Sequence, residues 1–283
     1  MSPPRVTVTD EGLLEAIVLL HRYSLGLGRV GARALGQGAT GSVDSQILLA
    51  IARSAGASPS ALVELLGIPR STLARGLVRL RRTGLVERSV DEVDGRRAVL
   101  APTAAGAACL TRLESALGDF LRDSAPVVKE VELILGRDPE GRRGPGRPLS
   151  VREAVDRIGA VGGAHGRDAR AAGRPFGLAE TPDRYAVTYL ALRESRPSVL
   201  AEHLDLTPAG TTNLLDRLEG LGLVERRTGV WPADRRAVLV RLTPTGRRAT
   251  EALIEVFRRH QDDVLHALGE TLRLVPTDPT PRS

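Results

Sequence analysis

The sequence predicts a mainly α-helical protein with small β-hairpins, in which one fold occurs twice along the chain. The pentapeptide Gly-Leu-Val-Glu-Arg stands at residues 84–88 and again at residues 222–226, which defines a repeat offset of 138 in the numbering (222 − 84). Apolar residues recur at spacings of three and four around both repeats, as they do in amphipathic helices. Short apolar segments flank a polar loop after each repeat, which is typical of hairpins. We therefore predict two copies of one helical unit.

The length and composition limit the class of protein. The 283 residues correspond to two domains at roughly 100–200 residues each. Hydrophobic residues make up 42% and charged residues 26%, a globular composition, whereas aromatic residues make up only 2%. Leu, Val, Ile and Ala must therefore form the cores, and stacking on unpaired bases is disfavoured. Lys and Arg outnumber Asp and Glu by 40 to 34, which is compatible with a polyanionic partner.

Several kinds of site are disfavoured. Cys109 is the only cysteine, which excludes an internal disulfide and a multi-cysteine zinc site. The histidines lack metal-binding spacing, and there is no P-loop, dinucleotide fingerprint or nucleophile elbow, so we predict no metal, no cofactor and no enzymatic activity. No apolar run approaches the ~18 residues of a membrane span, and the N-terminus lacks a signal-peptide core. We expect a cytoplasmic protein without a membrane partner.

The repeat also predicts domain boundaries. The offset of 138 holds from the first helix to the hairpin, and it grows to 140 where Thr103 corresponds to Thr243. Residues 136–149 are rich in Gly, Pro and Arg and have no hydrophobic period, as in a linker. We predict a first copy at 1–135, this linker at 136–149, a second copy at 150–275 and a tail at 276–283.

Both copies are predicted to contain the same elements in the same order. A long first helix and a second helix precede two short helices joined by a tight turn, and a hairpin and a final long helix follow. In the first copy we expect the first helix at Glu11–Leu35, the second helix at Val43–Ala55, the second short helix at Arg70–Arg82 and a final helix that begins near Thr103. In the second copy the corresponding helices are expected at Ser150–Ala172, Pro182–Glu194 and Pro208–Leu221, with a final helix that begins near Pro244.

Capping residues mark the short helices. Ser58-Pro59 and Thr207-Pro208 each place an N-cap residue before a proline at the first helical position. Gly84 and Gly222 end the second short helix, where a left-handed cap favours glycine. Because a helix-turn-helix followed by a hairpin is a winged helix-turn-helix, the predicted fold is mainly α with small β-hairpin wings, a tandem winged helix-turn-helix.

The repeated unit resembles the MarR family of bacterial transcription regulators, and the second copy is the closer match. The resemblance rests on Leu200-Ala201-Glu202-His203-Leu204 in the first short helix, on Asp234-Arg235-Arg236 in the wing, and on Leu242-Thr243-Pro244-Thr245-Gly246 after it. The first copy departs from this pattern. Its wing, Asp94-Gly95-Arg96-Arg97, carries an extra glycine, and Pro102-Thr103 replaces Leu-Thr.

Members of this family are usually homodimers whose first and last helices form the interface and whose recognition helices enter successive major grooves. The resemblance therefore implies a pseudo-twofold fused dimer within one chain, with double-stranded DNA as its partner. The linker makes this pairing intramolecular, at an effective concentration on the order of millimolar. The resemblance further implies a ligand-responsive repressor in the bacterial cytoplasm, associated with the nucleoid.

The resemblance also implies which residues contact DNA. Early recognition-helix residues are expected to reach base edges and later arginines to hold phosphates. The base-reading set is Arg70, Ser71, Thr72, Arg75, Thr211, Thr212 and Asn213, and the phosphate set is Arg79 and Arg217. The expected wing contacts are Arg96, Arg97, Arg235 and Arg236, oriented by Asp94 and Asp234 through charge-assisted hydrogen bonds. The alternative for any single arginine is a solvated or ion-paired surface group.

Charge differs between the two recognition helices. The first carries five arginines and no acid, whereas the second carries Arg217 against Asp216 and Glu219. Since two different helices cannot read a perfect palindrome equally well, we predict an asymmetric operator. The acidic second helix also keeps a second function open, a tandem winged-helix module that binds protein and not DNA.

Three tyrosines are candidates for an effector site. Tyr23, Tyr185 and Tyr189 fall in helices that line the effector pocket of many MarR-like proteins. Packing in the core and contact with a phenolic or other aromatic effector are the two interpretations. Cys109 has a similar pair of interpretations, a small core residue or a redox sensor, and its apolar neighbours favour the core.

Overall fold

A computed structural model describes residues 8–36, 41–54, 58–66, 68–90, 98–137, 148–228 and 238–274. Within these residues the chain is mainly helical, with two antiparallel hairpins. The first half contains α1 (Asp10–Leu35), α2 (Gly41–Arg53), α3 (Pro59–Leu66), α4 (Arg70–Arg82), β1 (Val86–Val90), β2 (Ala98–Pro102), α5 (Ala104–Asp123) and α6 (Ala125–Ile134). The second half contains α7 (Val151–Gly173), a 3₁₀ turn (Arg174–Phe176), α8 (Thr181–Leu192), α9 (Pro197–Leu204), α10 (Pro208–Gly220), β3 (Val224–Arg227), β4 (Leu239–Leu242) and α11 (Pro244–Thr271).

The mainly helical fold with small hairpins is confirmed, and the predicted helix bounds agree with the structure to within two residues except in the final helix of the first copy. The final helix of the first copy was expected to be continuous, but α5 ends at Asp123 and α6 begins at Ala125. Pro126 explains the break, because proline lacks an amide N–H and its ring clashes with the preceding helical turn. The corresponding α11 contains no proline after its first residue and runs unbroken to Thr271.

The predicted caps form, but on different helices of the two copies. The Ser58 hydroxyl accepts a hydrogen bond from the Ala61 N–H at 3.3 Å at the start of α3. The Thr207 hydroxyl accepts one from the Gly210 N–H at 3.1 Å, and this cap begins α10, the second short helix. Both recognition helices end in the same left-handed turn, because Gly84 has a φ of 70° and Gly222 a φ of 68°.

Each hairpin is connected to its final helix by a threonine and a glycine. The Thr243 hydroxyl donates to the Gly222 carbonyl at 2.6 Å and accepts from the Gly246 N–H at 3.1 Å. A Cβ at position 246 would lie 2.1 Å from the Leu223 carbonyl oxygen, so only glycine fits there. The first copy repeats this arrangement with Thr103 and Gly106. The Thr-x-x-Gly part of the motif therefore has a packing function in both copies.

The chain folds into two compact units, and each combines segments from both halves of the sequence. The first unit comprises Ser24–Val128, Arg143–Ala164 and His266–Ser283. The second unit comprises Met1–Tyr23, Lys129–Arg142 and His165–Leu265. In the first unit, Arg152 of α7 donates to Glu114 of α5, with 2.8 Å between Nε and Oε1. In the second unit, Arg258 of α11 forms an ion pair with Asp10 of α1.

Leucines form the centre of each unit. Leu62 and Leu80 in the first unit, and Leu200 and Leu218 in the second, are at most 1% exposed. The two pairs are related by the repeat offset, since 200 − 62 equals 218 − 80. In the second unit the bridge between Ser195 and Val240 extends the hairpin. No helix in the described part of the chain is long and apolar enough to cross a membrane.

Candidate nucleic-acid interface

Helix α4 presents one continuous exposed face and one buried face. Its inward residues are Leu73, Gly76 and Leu80, which pack into the core of the first unit. A Cβ on Gly76 would lie 2.4 Å from Cδ1 of Ile47, so this glycine lets α4 approach α2 closely. Residues at helical spacing form the outward face, namely Arg70, Ser71, Ala74, Arg75, Val78, Arg81 and Arg82. The predicted base-reading residues Arg70, Ser71 and Arg75 lie on this face, and Thr72 is partly buried beside it.

An ion pair with a buried acid anchors α4. The Arg79 guanidinium donates to the Asp44 carboxylate of α2 through Nε at 2.8 Å and Nη2 at 2.7 Å. The Asp44 side chain is fully buried and the Arg79 side chain is 28% exposed. The hydrogen bonds to Asp44 raise the pKa of Arg79 above its usual value. This two-point contact fixes the orientation of the recognition helix on α2.

The second unit repeats this anchor. Arg217 of α10 donates from Nε to Asp183 of α8 at 3.2 Å, and its Nη2 contacts the other carboxylate oxygen. Asp183 is buried, and hydrogen bonding to it raises the pKa of Arg217. We predicted from the sequence that Arg79 and Arg217 hold phosphates. Both guanidinium groups already have an acidic partner, so a phosphate contact would need their remaining N–H donors.

The exposed face of α10 is acidic and not basic. Its outward residues include Thr212, Asn213, Asp216 and Glu219. Thr212 and Asn213 were predicted to read bases, and both are exposed. Thr211, which we also expected there, is only 2% exposed, and its hydroxyl donates to the Thr207 carbonyl at 3.0 Å. Thr211 points into the core because it stands one position away from the outward stripe, and we remove it from the candidate interface.

A wing arginine pairs with both of these acids. Arg226 of β3 donates through Nη1 to Glu219 at 2.7 Å and through Nη2 to Asp216 at 2.6 Å. The same residue donates its backbone N–H to Glu219 at 3.3 Å. Both carboxylates of the outward face of α10 are therefore paired within the second unit. The remaining predicted wing residues, namely Asp94, Arg96, Arg97, Asp234, Arg235 and Arg236, lie outside the described residues.

Two of the three candidate effector tyrosines, Tyr185 and Tyr189, lie in a cluster of stacked rings in the second unit. Tyr185 stacks on His21 with 3.7 Å between ring centroids, and Tyr189 stacks on His203 at 4.2 Å. Tyr23 and Tyr189 are both 5% exposed, and Tyr189 packs with the hydrophobic core. The effector role of the three tyrosines stays a prediction.

Burial changes the ionisation of this cluster. It lowers the pKa of His21 to about 4, with a smaller contribution from His203. Burial also lowers the pKa of His203 to about 4 and raises the pKa values of Tyr23 and Tyr185. The Nε2 atom of His21 is buried without a hydrogen-bond partner among the described residues. Sequence reasoning missed both histidines because residues 21, 185 and 203 are far apart along the chain.

Cys109 lies in the core of the first unit. Cys109 is 1% exposed, its Sγ donates to the Ala34 carbonyl at 3.4 Å, and burial raises the pKa of its thiol. The described residues hold no group of three or more His, Cys, Asp or Glu side chains suited to a metal ion. Sequence reasoning missed Asp44 and Asp183. A usable signal was present, because these two acids are related by nearly the same offset as Arg79 and Arg217.

The chain carries a MarR-family domain. The sequence model of the MarR family matches residues 38–97, which include α2, α3, α4 and β1 of the first copy, although we expected the second copy to be the closer match. No curated protein matches the chain.

Several solved structures are similar to part of the chain. A transcriptional regulator from Thermotoga maritima shares 24% identity with a TM-score of 0.32, covering 37% of this chain and 72% of that protein. A MepR mutant from S. aureus bound to an oligodeoxyribonucleotide shares 19% identity with a TM-score of 0.33, covering 38% and 78%. A MarR mutant from E. coli complexed with operator DNA shares 23% identity with a TM-score of 0.32, covering 41% and 78%.

Proposed function

We propose that this protein is a sequence-specific, double-stranded DNA-binding transcriptional regulator that acts as a repressor. The observation that carries the proposal is the pair of recognition helices, α4 and α10. Each is anchored to an earlier helix of its own copy by an arginine on a buried aspartate, exposes one face, and is followed by a hairpin wing. The MarR-family domain at residues 38–97 supports the same conclusion for the first unit.

Different residues at equivalent positions read the two half-sites. Arg75 of α4 corresponds to Asn213 of α10 at the repeat offset, and both are exposed. Arginine pairs in bidentate fashion with the O6 and N7 atoms of guanine, whereas asparagine pairs with N6 and N7 of adenine. The operator is therefore asymmetric, with guanine preferred in one half-site where adenine is preferred in the other.

One chain acts as a pseudo-dimer. Each compact unit contains a winged helix from one half of the sequence and helical segments from the other half, which supports folding of the two copies as one assembly. The pairs Arg152–Glu114 and Arg258–Asp10 join such segments within their units. The chain therefore needs no second subunit to present two recognition helices.

A small aromatic or phenolic effector regulates DNA binding. The stacked rings of His21, Tyr185, Tyr189 and His203 support this part of the proposal, since they gather aromatic side chains around the buried Nε2 atom of His21. A ligand that binds a DNA-incompetent conformation more tightly lowers DNA affinity by shifting the conformational equilibrium.

The test is DNA binding by the purified full-length chain. Fluorescence anisotropy with the promoter region of its own gene, at about 50 and 200 mM salt and with random DNA as competitor, measures affinity, specificity and salt dependence. Analytical ultracentrifugation of the complex measures the number of chains per duplex. We expect tight, salt-sensitive binding that resists the competitor, with one chain per operator. Absence of binding at low salt would contradict the proposal.

A second candidate function is a protein-interaction module, which the carboxylates of Asp216 and Glu219 on the exposed face of α10 favour. Arg226 pairs with both carboxylates and offsets one of their two negative charges, and this weakens the electrostatic reason for that face to avoid DNA. The same anisotropy experiment separates the two functions, since a protein-interaction module gives no salt-dependent binding to any duplex.

A further inference from the structure

A cationic groove lies between the recognition helix and the first wing strand of the first unit. It has a volume of about 520 Å³ and is lined by Val78, Arg81, Arg82, Val86, Glu87 and Arg88. The lining thus contains three arginines and one glutamate. Within the described part of the chain, none of the three arginines forms an ion pair with an acid. Val78 is 64% exposed, so the middle of the groove is open to solvent.

The equivalent place in the second unit has the opposite charge pattern. At the repeat offset, Arg88 corresponds to Arg226, Val78 to Asp216 and Arg81 to Glu219. Arg226 is held by both of those acids, at 2.6 and 2.7 Å. Both copies therefore have an arginine at this position of the wing. The two equivalent positions of the recognition helix hold acids in the second copy and a valine and an arginine in the first. The wing arginine is paired within the second unit, whereas the described residues of the first unit give Arg88 no acidic partner.

The groove lies on the surface that is proposed to face DNA. Val78, Arg81 and Arg82 continue the exposed face that begins with Ser71 and Arg75. A helix of 13 residues such as α4 is about 20 Å long, whereas the major groove is only about 12 Å wide. A recognition helix with its first turns at the base edges therefore extends to the sugar-phosphate wall of the groove. Arginine matches phosphate geometry at such a place.

We propose that the groove of Val78, Arg81, Arg82 and Arg88 binds backbone phosphates, and that the first half-site is the electrostatic anchor of the operator complex. This inference rests on the proposed function. The second half-site, whose equivalent arginine is already paired, contributes base readout through Thr212 and Asn213 with few phosphate contacts. An acidic protein segment is the alternative occupant of the groove, and charge-exchange variants distinguish it from DNA phosphates.

The test exchanges the helix partners of the two wing arginines. The double variant V78D/R81E gives Arg88 the acids that Arg226 has, and the reciprocal variant D216V/E219R removes the acids from Arg226 and adds an arginine. Each phosphate contact contributes about −0.9 to the slope of log affinity against log salt. V78D/R81E removes two phosphate contacts, so its slope is expected to be shallower than that of the wild type by about 1.8. Between 50 and 200 mM salt, the affinity of the variant should therefore fall by a factor roughly 10 times smaller than the affinity of the wild type does. D216V/E219R is expected to make the slope steeper by about 1 to 2.

Matched controls keep the result interpretable. All four residues are exposed, and thermal melting with circular dichroism verifies that each variant folds. Methylphosphonate substitution in one half-site at a time is expected to weaken binding at the half-site that α4 reads and to have little effect at the other. If the wild-type chain fails to bind duplex DNA, the proposed function itself fails. If it binds with a steep slope that V78D/R81E leaves unchanged, the phosphate site is refuted. Binding of poly-glutamate that is lost in V78D/R81E would then assign the groove to an acidic protein segment.

Discussion

The Arg79 guanidinium contacts the buried Asp44 carboxylate through two donors, at 2.8 and 2.7 Å, and this pair holds the recognition helix of the first unit on α2. The acid is fully buried while the arginine is 28% exposed, so the two partners are not equivalent. Removal of the arginine leaves a charge in the core, whereas removal of the acid leaves a cation that water can reach.

We therefore expect R79A to be more destabilising than D44N. Loss of one partner of a buried ion pair costs about 3–5 kcal/mol, and R79A is expected to approach that range because Asp44 is left buried and unpaired. Urea unfolding of both variants measures the difference. R75A is the matched control, because Arg75 lies on the same helix but is exposed, and its change should stay within about 0.5 kcal/mol. Equal stability of R79A and R75A would mean that the ion pair does not anchor α4.

A second prediction concerns the glycine that follows each hairpin. The G246A substitution is expected to destabilise the second unit by about 2–4 kcal/mol, since the new Cβ would lie 2.1 Å from the Leu223 carbonyl oxygen. G162A is the control. Gly162 lies in α7, and a Cβ added there would meet open space, so alanine is expected to stabilise by about 0.5–1 kcal/mol. Thermal melting of the two variants should therefore shift in opposite directions.

A third prediction concerns the pH dependence of stability. His21 has a folded-state pKa of about 4, below the ordinary value of 6.5, because burial disfavours its charged form. The unfolded chain therefore binds a proton first as the pH falls, so this residue contributes a loss of stability between pH 6.5 and about 4 and none above. Between about pH 7 and 5 the loss is about 2 kcal/mol for one such histidine.

H21F tests the source of that loss. Phenylalanine keeps a ring against Tyr185, removes the titrating group and removes a buried nitrogen that has no partner among the described residues. We expect H21F to unfold at a similar urea concentration to the wild type at neutral pH and to lose less stability under acidic conditions. An unchanged pH profile in H21F would exclude His21 as the cause.

A fourth prediction concerns the base that each helix reads. R75N places in α4 the residue that α10 has at the equivalent position, so selection of bound sequences should replace guanine by adenine in one half-site only. Loss of the bidentate arginine contact is expected to cost about 1–3 kcal/mol on the original operator, equivalent to about 5- to 150-fold in affinity. A strictly symmetric consensus for the wild-type protein would contradict the asymmetric operator.

Local features of the sequence predicted a repeated architecture. The recurrence of Gly-Leu-Val-Glu-Arg and of leucines at helical spacing predicted a helix-turn-helix and a hairpin in each half, because capping and amphipathic periodicity are local properties. The bounds of α4 were predicted without error, and those of α10 differ by one residue. The outward position of Ser71, Arg75, Thr212 and Asn213 also followed from periodicity.

The ion pairs that occupy each arginine depend on the three-dimensional structure. Periodicity cannot show that Asp44 and Asp183 pair with Arg79 and Arg217, since each acid lies on a different helix from its arginine. It also cannot show that Arg226 pairs with two acids of α10, whereas α4 offers no acid to Arg88. It likewise could not predict that His21 stacks on Tyr185, or that each compact unit takes segments from both halves of the chain. The free energy of an ion pair or a stacked ring depends on distance and burial in space, and sequence separation carries little information about either.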